Sequence, residues 1–498
     1  MEQAQGILEG LDERQRTAAT TLQGPVRIIA GAGAGKTRTV TRRIAYACAT
    51  GAWKPERVLA VTFSVKAAAE MRARLGQLGV GGGTGRSGSG AGTAGVTAAT
   101  FHSAALHQLN SVWADICEAP FPHVIEDQRD VVSRAIIRAT ARTDADPLTV
   151  RDVLAEINWA KISLVAVEDY ARACAIAHRQ PPAGLDTARF ADVYSAYEQE
   201  KTSRGEIDFD DILLLVCHIM DGFPEAAAQI RSTIGWLTVD EYQDVSPLQH
   251  RLLTLWLGGG GPDGKSAMNR NVCVVGDPAQ TIYSFAGASS WDLLRFADEF
   301  GPLAADVNLN TDYRSTPEVV NLANRVLAAA PNREDYLKLV SARESGPRVT
   351  RTAYESDMEE AQGVAARIAR LVGNGAKPVR LRDPHPHQRP TAGIRCRLAR
   401  CETEISRPQG FGMAIIRARR RCRVQTRTIG GDGFGRHRTC RKRRSRGYDF
   451  HDPRIQGSGI QARVSDRLFG RALAVRFAGN GGCAGRGTPA YVCGHHPS

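Results

Sequence analysis

Mostly apolar short runs recur along the chain at Val26–Ala30, Val58–Phe63, Trp236–Val239, Val272–Val275 and Val307–Leu309, and stretches with helical spacing fill most of the gaps. Runs that do not alternate with polar residues predict strands buried on both faces. With helices between them, they predict a parallel α/β sheet. Between Leu106 and Gly205 the pattern changes. Val131, Val132, Ile136 and Ile137, then Val153, Leu154, Ile157 and Ala160, recur at helix spacing, which predicts a helical domain inserted into the sheet domain. Gly79–Gly95 reads as a flexible Gly/Ser loop with little capacity to form a core. Ala361, Val364, Ala365, Ile368 and Leu371 predict an amphipathic helix over 359–371, stopped by Gly373 and Gly375. Beyond about Lys377 almost no helix or strand period is sustained.

Charge sharpens that division. The 498 residues suggest about three domains. The net charge of +13 is uneven: residues 381–498 carry 24 Arg and one Lys against seven acidic residues, leaving 40 basic against 45 acidic in residues 1–380. A nucleic-acid site in the body must therefore come from local placement of charge and aromatic groups, because the global field there does not attract phosphate. Five of the eleven cysteines lie in the body, none in a C-x₂-C pair, and their apolar surroundings favour free thiols in a reducing compartment. Residues 1–15 lack a signal-type apolar core, and no run approaches the roughly 18 apolar residues of a spanning helix. The expectation is a soluble, cytoplasmic protein with no membrane partner.

The chemistry starts after the first apolar run. Ala30-Gly31-Ala32-Gly33-Ala34-Gly35-Lys36-Thr37 sits where a strand hands over to a helix. Glycines let backbone N–H groups approach a triphosphate, the helix N-terminus adds partial positive charge, Lys36 reaches the β/γ-phosphates and Thr37 coordinates Mg²⁺. The usual first glycine is Ala30. A second element is Trp236–Val239 followed by Asp240-Glu241-Tyr-Gln-Asp244. Two carboxylates at the end of an apolar strand suit a partner to a phosphate loop: Asp240 holds Mg²⁺ through water, and Glu241 orients and deprotonates the attacking water. A third is Val272–Val275 followed by Gly276-Asp277-Pro278-Ala279-Gln280, where a neutral glutamine just past a strand can hydrogen-bond a γ-phosphate.

In this order the motifs resemble those of UvrD/Rep-type DNA helicases of superfamily one, in particular the actinobacterial branch, over residues 1 to about 378. The resemblance implies a RecA-like sheet domain split into 1–105 and 206–300, an inserted helical domain at 106–205, the beginning of a second RecA-like lobe at 301–378, and a largely unstructured Arg-rich tail at 379–498. It implies ATP with Mg²⁺ as cofactors, single-stranded DNA and its junctions with duplex as partners, and 3′ to 5′ translocation in DNA repair or replication. Leu11-Asp-Glu-Arg-Gln15 resembles the adenine-reading motif, which gives Gln15 a base contact and puts Arg38 near the nucleotide. Val61-Thr62-Phe63-Ser64 and Thr100-Phe101-His102-Ser103 resemble the DNA-contacting motifs, in which Phe63 stacks on a base and Thr100 and His102 follow the backbone. Tyr283 and Phe285 correspond to further stacking positions. Where the family commonly has Trp-Arg this chain has Phe285-Ala286, so one stacking surface is smaller and one positive charge is missing. Asn310-Thr-Asp-Tyr313-Arg314-Ser315 resembles the motif that opens the second lobe, with Tyr313 stacking on adenine and Arg314 reaching the γ-phosphate. Ile207-Asp208-Phe209-Asp210-Asp211 is also a family block, assigned a structural role because adjacent acids repel phosphate.

The family's later second-lobe segments, including one with a further arginine finger, do not occur after Leu381. Scattered arginines do not replace a finger, because it must be held within hydrogen-bond reach of transition-state charge. Two readings of residues 379–498 stand: a disordered basic tail, or translation out of frame of a G+C-rich gene after a frame change near residues 377–381. The expectation is a truncated helicase with weak or no unwinding. The alternative is an ATP- and DNA-binding module in which the basic tail dominates nucleic-acid binding.

Overall fold

The computed structural model describes residues 2–80, 95–258, 268–282 and 289–374, together with the backbone of 403–406 and 415–418. The helices in chain order are α1 (Glu2–Ile7), α2 (Glu13–Thr20), α3 (Lys36–Ala49), α4 (Val65–Gln77), α5 (Phe101–Ile116), α6 (Arg129–Thr140), α7 (Pro147–Ile162) and α8 (Tyr170–Ala177). They continue with α9 (Thr187–Arg204), α10 (Phe209–Gly222), α11 (Pro224–Ser232), α12 (Pro247–Leu257), α13 (Trp291–Leu294), α14 (Phe296–Phe300), α15 (Pro317–Ala328) and α16 (Asp357–Gly373). Six parallel strands form the central sheet: β1 (Val26–Ala30), β2 (Val58–Thr62), β3 (Thr97–Thr100), β6 (Trp236–Val239), β7 (Val272–Gly276) and β8 (Ala305–Leu309). Their spatial order is β3-β2-β6-β7-β1-β8. The short pairs are β4 (His123–Val124) with β5 (Glu206–Ile207) and β9 (Thr311–Asp312) with β10 (Val340–Ser341).

The parallel sheet is covered on both faces, as its unbroken apolar strands require. On one face Leu59, Val61, Leu237, Val239 and Val274 join the apolar sides of α5, α10, α11 and α12; on the other, Val26, Ile28, Ala60 and Val275 join Val40 and Ile44 of α3 and Met71 and Leu75 of α4. The helical segment has a separate core that runs from Val131 to Tyr197. Residue 106 falls inside α5, whose Leu109, Val112 and Trp113 belong to the sheet's core rather than to that helical one. The parallel β4–β5 pair ties the two ends of the insert together.

Where the insert rejoins the sheet domain lies a buried charge network. Lys161 of α7 and Lys201 of α9, both almost fully buried, donate to Asp208 Oδ2 at 2.5 and 2.7 Å; Lys201 also reaches Asp211 Oδ2 at 2.6 Å, and Lys161 contacts its other oxygen. Tyr197 donates a fifth bond, to Asp208 at 2.9 Å. Burial alone would push the Asp208 carboxyl up, yet the two ammonium groups hold it well below the usual carboxylate range.

A second compact unit starts at Pro347. It contains α16, capped by Ser356, and an antiparallel pair, β11 (Thr403–Ser406) with β12 (Ile415–Ala418). The remainder of 379–498, where the unstructured tail was expected, lies outside the described residues. Among the described residues no helix is long and apolar enough to cross a membrane.

Candidate nucleotide and nucleic-acid site

The carboxyl ends of the strands carry the candidate residues, as open α/β sheets favour at points where the strand order reverses. β1 ends at Ala30 and the loop Gly31–Gly35 turns into α3. Gly33 and Gly35 have φ of +73° and +80°, so glycine is required at both, and Gly35 is the N-cap of α3. A side chain on the loop would also collide: a Cβ at Gly31 would lie 2.2 Å from Leu339 Cδ2, and one at Gly33 would lie 2.0 Å from Asp312 Oδ1. Ala30 and Ala34 are buried, while Ala32 faces solvent.

Two strands away, β6 ends at Val239 and delivers the carboxylate pair. Lys36 Nζ lies 3.5 Å from Glu241 Oε2, and Thr37 Oγ1 donates to Asp240 Oδ2 at 3.4 Å. Glu241 has a left-handed backbone, φ +54°, and its N–H is held by Asp240 Oδ1 at 3.0 Å. Non-glycine residues adopt that region at a cost of about 1–3 kcal/mol, and such residues concentrate at functional sites. Asp240 is only 3% exposed, and its carboxyl is pushed up to about 6, by burial first and Glu241 second, with Lys36 opposing. A carboxylate and a hydroxyl side by side, in a pocket short of positive charge, suit a hard divalent cation with oxygen ligands. The residues therefore fit a cation such as Mg²⁺, which Thr37 and Asp240 would hold.

Gln280 is tied in at second hand. Its Nε2 donates to Asp277 Oδ2 at 2.5 Å, and Asp277 N donates to Gln243 Oε1 at 3.0 Å. Gln243 Nε2 in turn donates to Glu241 Oε2 at 2.9 Å. Gln243 thus links the two strand ends, a role not assigned from sequence although it stands between acids in the same block. Asp244, likewise unassigned, is pushed up to about 6 by burial and by Glu241.

The N-terminal residues close the other side. Gln15 is 1% exposed and donates to Ala34 O of the loop at 2.9 Å. Tyr313, 44% exposed, bonds through its backbone N–H to Gly33 O at 3.1 Å and through its hydroxyl to Asp12 Oδ2 at 2.5 Å. The Arg314 Cβ lies 3.1 Å from where a Gly33 Cβ would be, and its side chain is exposed. Arg38 is also exposed, its Nη2 beside Gly10.

Phe63 and the Thr100–His102 segment follow β2 and β3, whose register pairs Thr62 with Thr100, so they emerge side by side. Phe63 is 41% exposed. Thr100 caps α5, its Oγ1 accepting from Ser103 N at 3.2 Å. The His102 ring stacks on Phe209 with centroids 3.9 Å apart and an interplanar angle of 17°. The 207–211 block therefore divides: Asp208 and Asp211 turn inward to the lysines, as the structural reading expected, while Phe209 is half exposed against His102. Sequence reasoning missed Phe209. The signal was an apolar residue just after a helix cap, where burial is not needed. Tyr283 and Phe285 lie outside the described residues.

A parallel sheet split by an inserted helical core, with a glycine-rich loop and paired carboxylates at its strand ends, defines an α/β domain of the RecA-like kind. The profile of the UvrD/REP helicase N-terminal domain matches residues 11–301, and the chain belongs to that family. Over 378 residues it is 44% identical to the ATP-dependent DNA helicase UvrD2 of Mycobacterium tuberculosis, covering 75% of this chain and 51% of that one. It is 32% identical to the ATP-dependent DNA helicase UvrD1 of Mycobacterium leprae over 373 residues, 74% of this chain and 46% of the relative. With the ATP-dependent DNA helicase PcrA of Bacillus subtilis, identity is 29% over 375 residues, 74% and 46% of the two chains. The chain thus spans about half the length of the curated relatives it matches.

Proposed function

We propose that this chain binds Mg²⁺·ATP at the β1–α3 loop and single-stranded DNA across the ends of β2 and β3, as the motor part of an ATP-dependent DNA helicase that moves 3′ to 5′. The observation that carries the reading is the meeting of Lys36 and Thr37 with Glu241 and Asp240, from two strands separated by β7. Lys36 and Arg314 carry the γ-phosphate charge, and Glu241 takes the proton of the attacking water as the bond to ADP breaks. Thr37 and Asp240 would hold Mg²⁺, which would supply positive charge against the triphosphate. The Gln243–Asp277–Gln280 chain passes the state of that site to the end of β7.

Adenine selection follows from Gln15. Its Oε1 accepts from Asp12 N at 3.2 Å and its Nε2 donates to Ala34 O, which fixes the carboxamide's orientation. One N–H and one lone pair remain, the set that matches adenine N7 and N6. Tyr313 supplies the stacking ring and Arg38 flanks the nucleotide. Phe63, Tyr283 and Phe285 stack on bases, Thr100 and His102 follow the strand, and Phe209, backed by His102, joins the stacking set. Junctions of single-stranded with duplex DNA are the working substrate, in cytoplasmic DNA repair or replication. The later second-lobe motifs do not occur in residues 381–498, and we read this polypeptide as one that hydrolyses ATP and unwinds weakly or not at all.

The test is ATP hydrolysis by the full chain with and without single-stranded DNA. DNA-stimulated hydrolysis that is abolished in Lys36→Ala or Glu241→Gln supports the site assignment, and strong stimulation refutes the weak-motor part; absence of ATP binding to the unsubstituted chain refutes the whole reading. Efficient duplex unwinding would refute the weak-motor part alone. The charge excess of residues 381–498 favours a second reading, in which the basic tail dominates DNA binding. Removing those residues should then abolish most salt-sensitive binding, and unchanged affinity excludes it.

A further inference from the structure

We propose that Asp12 is a positioning residue of the nucleotide site, its carboxylate joining Gln15 to Tyr313 so that the two sides of the base slot are set as one unit. The proposal rests on the adenine reading above. Asp12 is the N-cap of α2 and forms a reciprocal box with Gln15: Asp12 Oδ1 accepts from Gln15 N at 2.8 Å, and Asp12 N donates to Gln15 Oε1. A cap needs only one oxygen. The other, Oδ2, accepts from the Tyr313 hydroxyl at 2.5 Å, across 301 residues of chain.

Tyr313 is held at both ends although nearly half its surface is exposed. Its backbone N–H rests on Gly33 O of the phosphate loop and its hydroxyl on Asp12. Arg14, two residues further on in α2, donates to Asn308 O at 2.9 Å and Asn310 Oδ1 at 3.1 Å, so α2 grips the approach to Tyr313 as well. Burial, and then the Asp12 carboxylate, push the phenol up to about 12, so it stays protonated and able to donate. An exposed ring normally loses rotamer freedom when it stacks on a ligand. A ring already fixed against a charged acceptor has less to lose, and binding is tighter by that saving.

Two substitutions separate this role from capping. Asp12→Ser keeps the cap and the reciprocal box with Gln15, because Ser-x-x-Gln forms the same box, but the short hydroxyl does not reach the phenol. Tyr313→Phe keeps the stacking ring and removes only the hydroxyl. Equilibrium binding of ribose-labelled fluorescent ATP and GTP to the full chain with Mg²⁺ is the readout, with melting temperature as a check on folding. The unsubstituted chain should prefer ATP. Each single substitution should weaken ATP about tenfold, GTP less, and the double no more than either alone. Additive losses, equal losses for ATP and GTP, or no loss in Tyr313→Phe overturn the coupling while leaving adenine recognition intact. No preference for ATP in the unsubstituted chain overturns both. Should Asp12→Ser fail to fold, Tyr313→Phe decides the question, since its hydroxyl supports no core.

Discussion

Asp240 and Asp208 are both buried carboxylates in the same lobe, and their surroundings have driven them in opposite directions. Asp208 receives two ammonium groups and a phenol and is held well below its ordinary range; Asp240 has Glu241 as its neighbour, a lysine that lies nearer Glu241, and a carboxyl pushed up to about 6. A site that supports the fold brings its countercharge from the chain. A site shaped for a ligand leaves a deficit that the ligand fills. The 207–211 block also has two sides one residue apart, with Asp208 neutralised inside and Phe209 left exposed outside.

Breaking the compensated site should have the largest effect. Lys161→Met leaves buried carboxylates with half their countercharge and should cost about 3–5 kcal/mol of stability, measured by denaturant unfolding. A loss under about 1 kcal/mol would mean that Lys201 alone suffices. At the uncompensated site the sign reverses. Asp240→Asn removes a charge that burial and Glu241 disfavour, and should stabilise the ligand-free protein by roughly 1–3 kcal/mol at pH 8. Because the folded carboxyl titrates near 6, above its unfolded value of 3.8, its contribution is intact below about pH 4 and lost as pH rises through 6. The gain from Asp240→Asn should therefore vanish at pH 4; a gain independent of pH would argue against burial and repulsion as its cause.

On the exposed side of the block, Phe209→Ala should weaken binding of single-stranded DNA by about 1–3 kcal/mol in fluorescence anisotropy and leave stability nearly unchanged. A stability loss without a binding loss would return Phe209 to a packing role. The smallest effect is expected at His250 of α12, whose Nε2 lies 3.1 Å from Glu299 Oε2. Burial lowers its pKa, but Glu299 and Asp292 outweigh it and raise the imidazole above its ordinary value. Its stabilisation is complete below about pH 6.5 and fades as pH rises through the folded value, so His250→Gln should flatten the stability profile between pH 6 and 8.

The sequence by itself determined five of the central sheet's six strands, the phosphate loop and the carboxylate pair, because each is written in contiguous residues: an apolar run for a buried strand, then the polar groups its carboxyl end presents. Gly33 and Gly35 were legible for the same reason, since a left-handed turn has few residues to choose from. Pairings across the chain were not legible. Lys161 and Lys201 reach Asp208 from separate helices, α5 packs into the sheet's core and not the insert's, and Asp12 meets Tyr313 from the far end of the sequence. Which acid is neutralised and which is left waiting depends on distances set by packing, and local pattern carries no information about them. Only the tertiary structure could separate Asp208 from Asp240, because a buried charge is defined by what surrounds it in space.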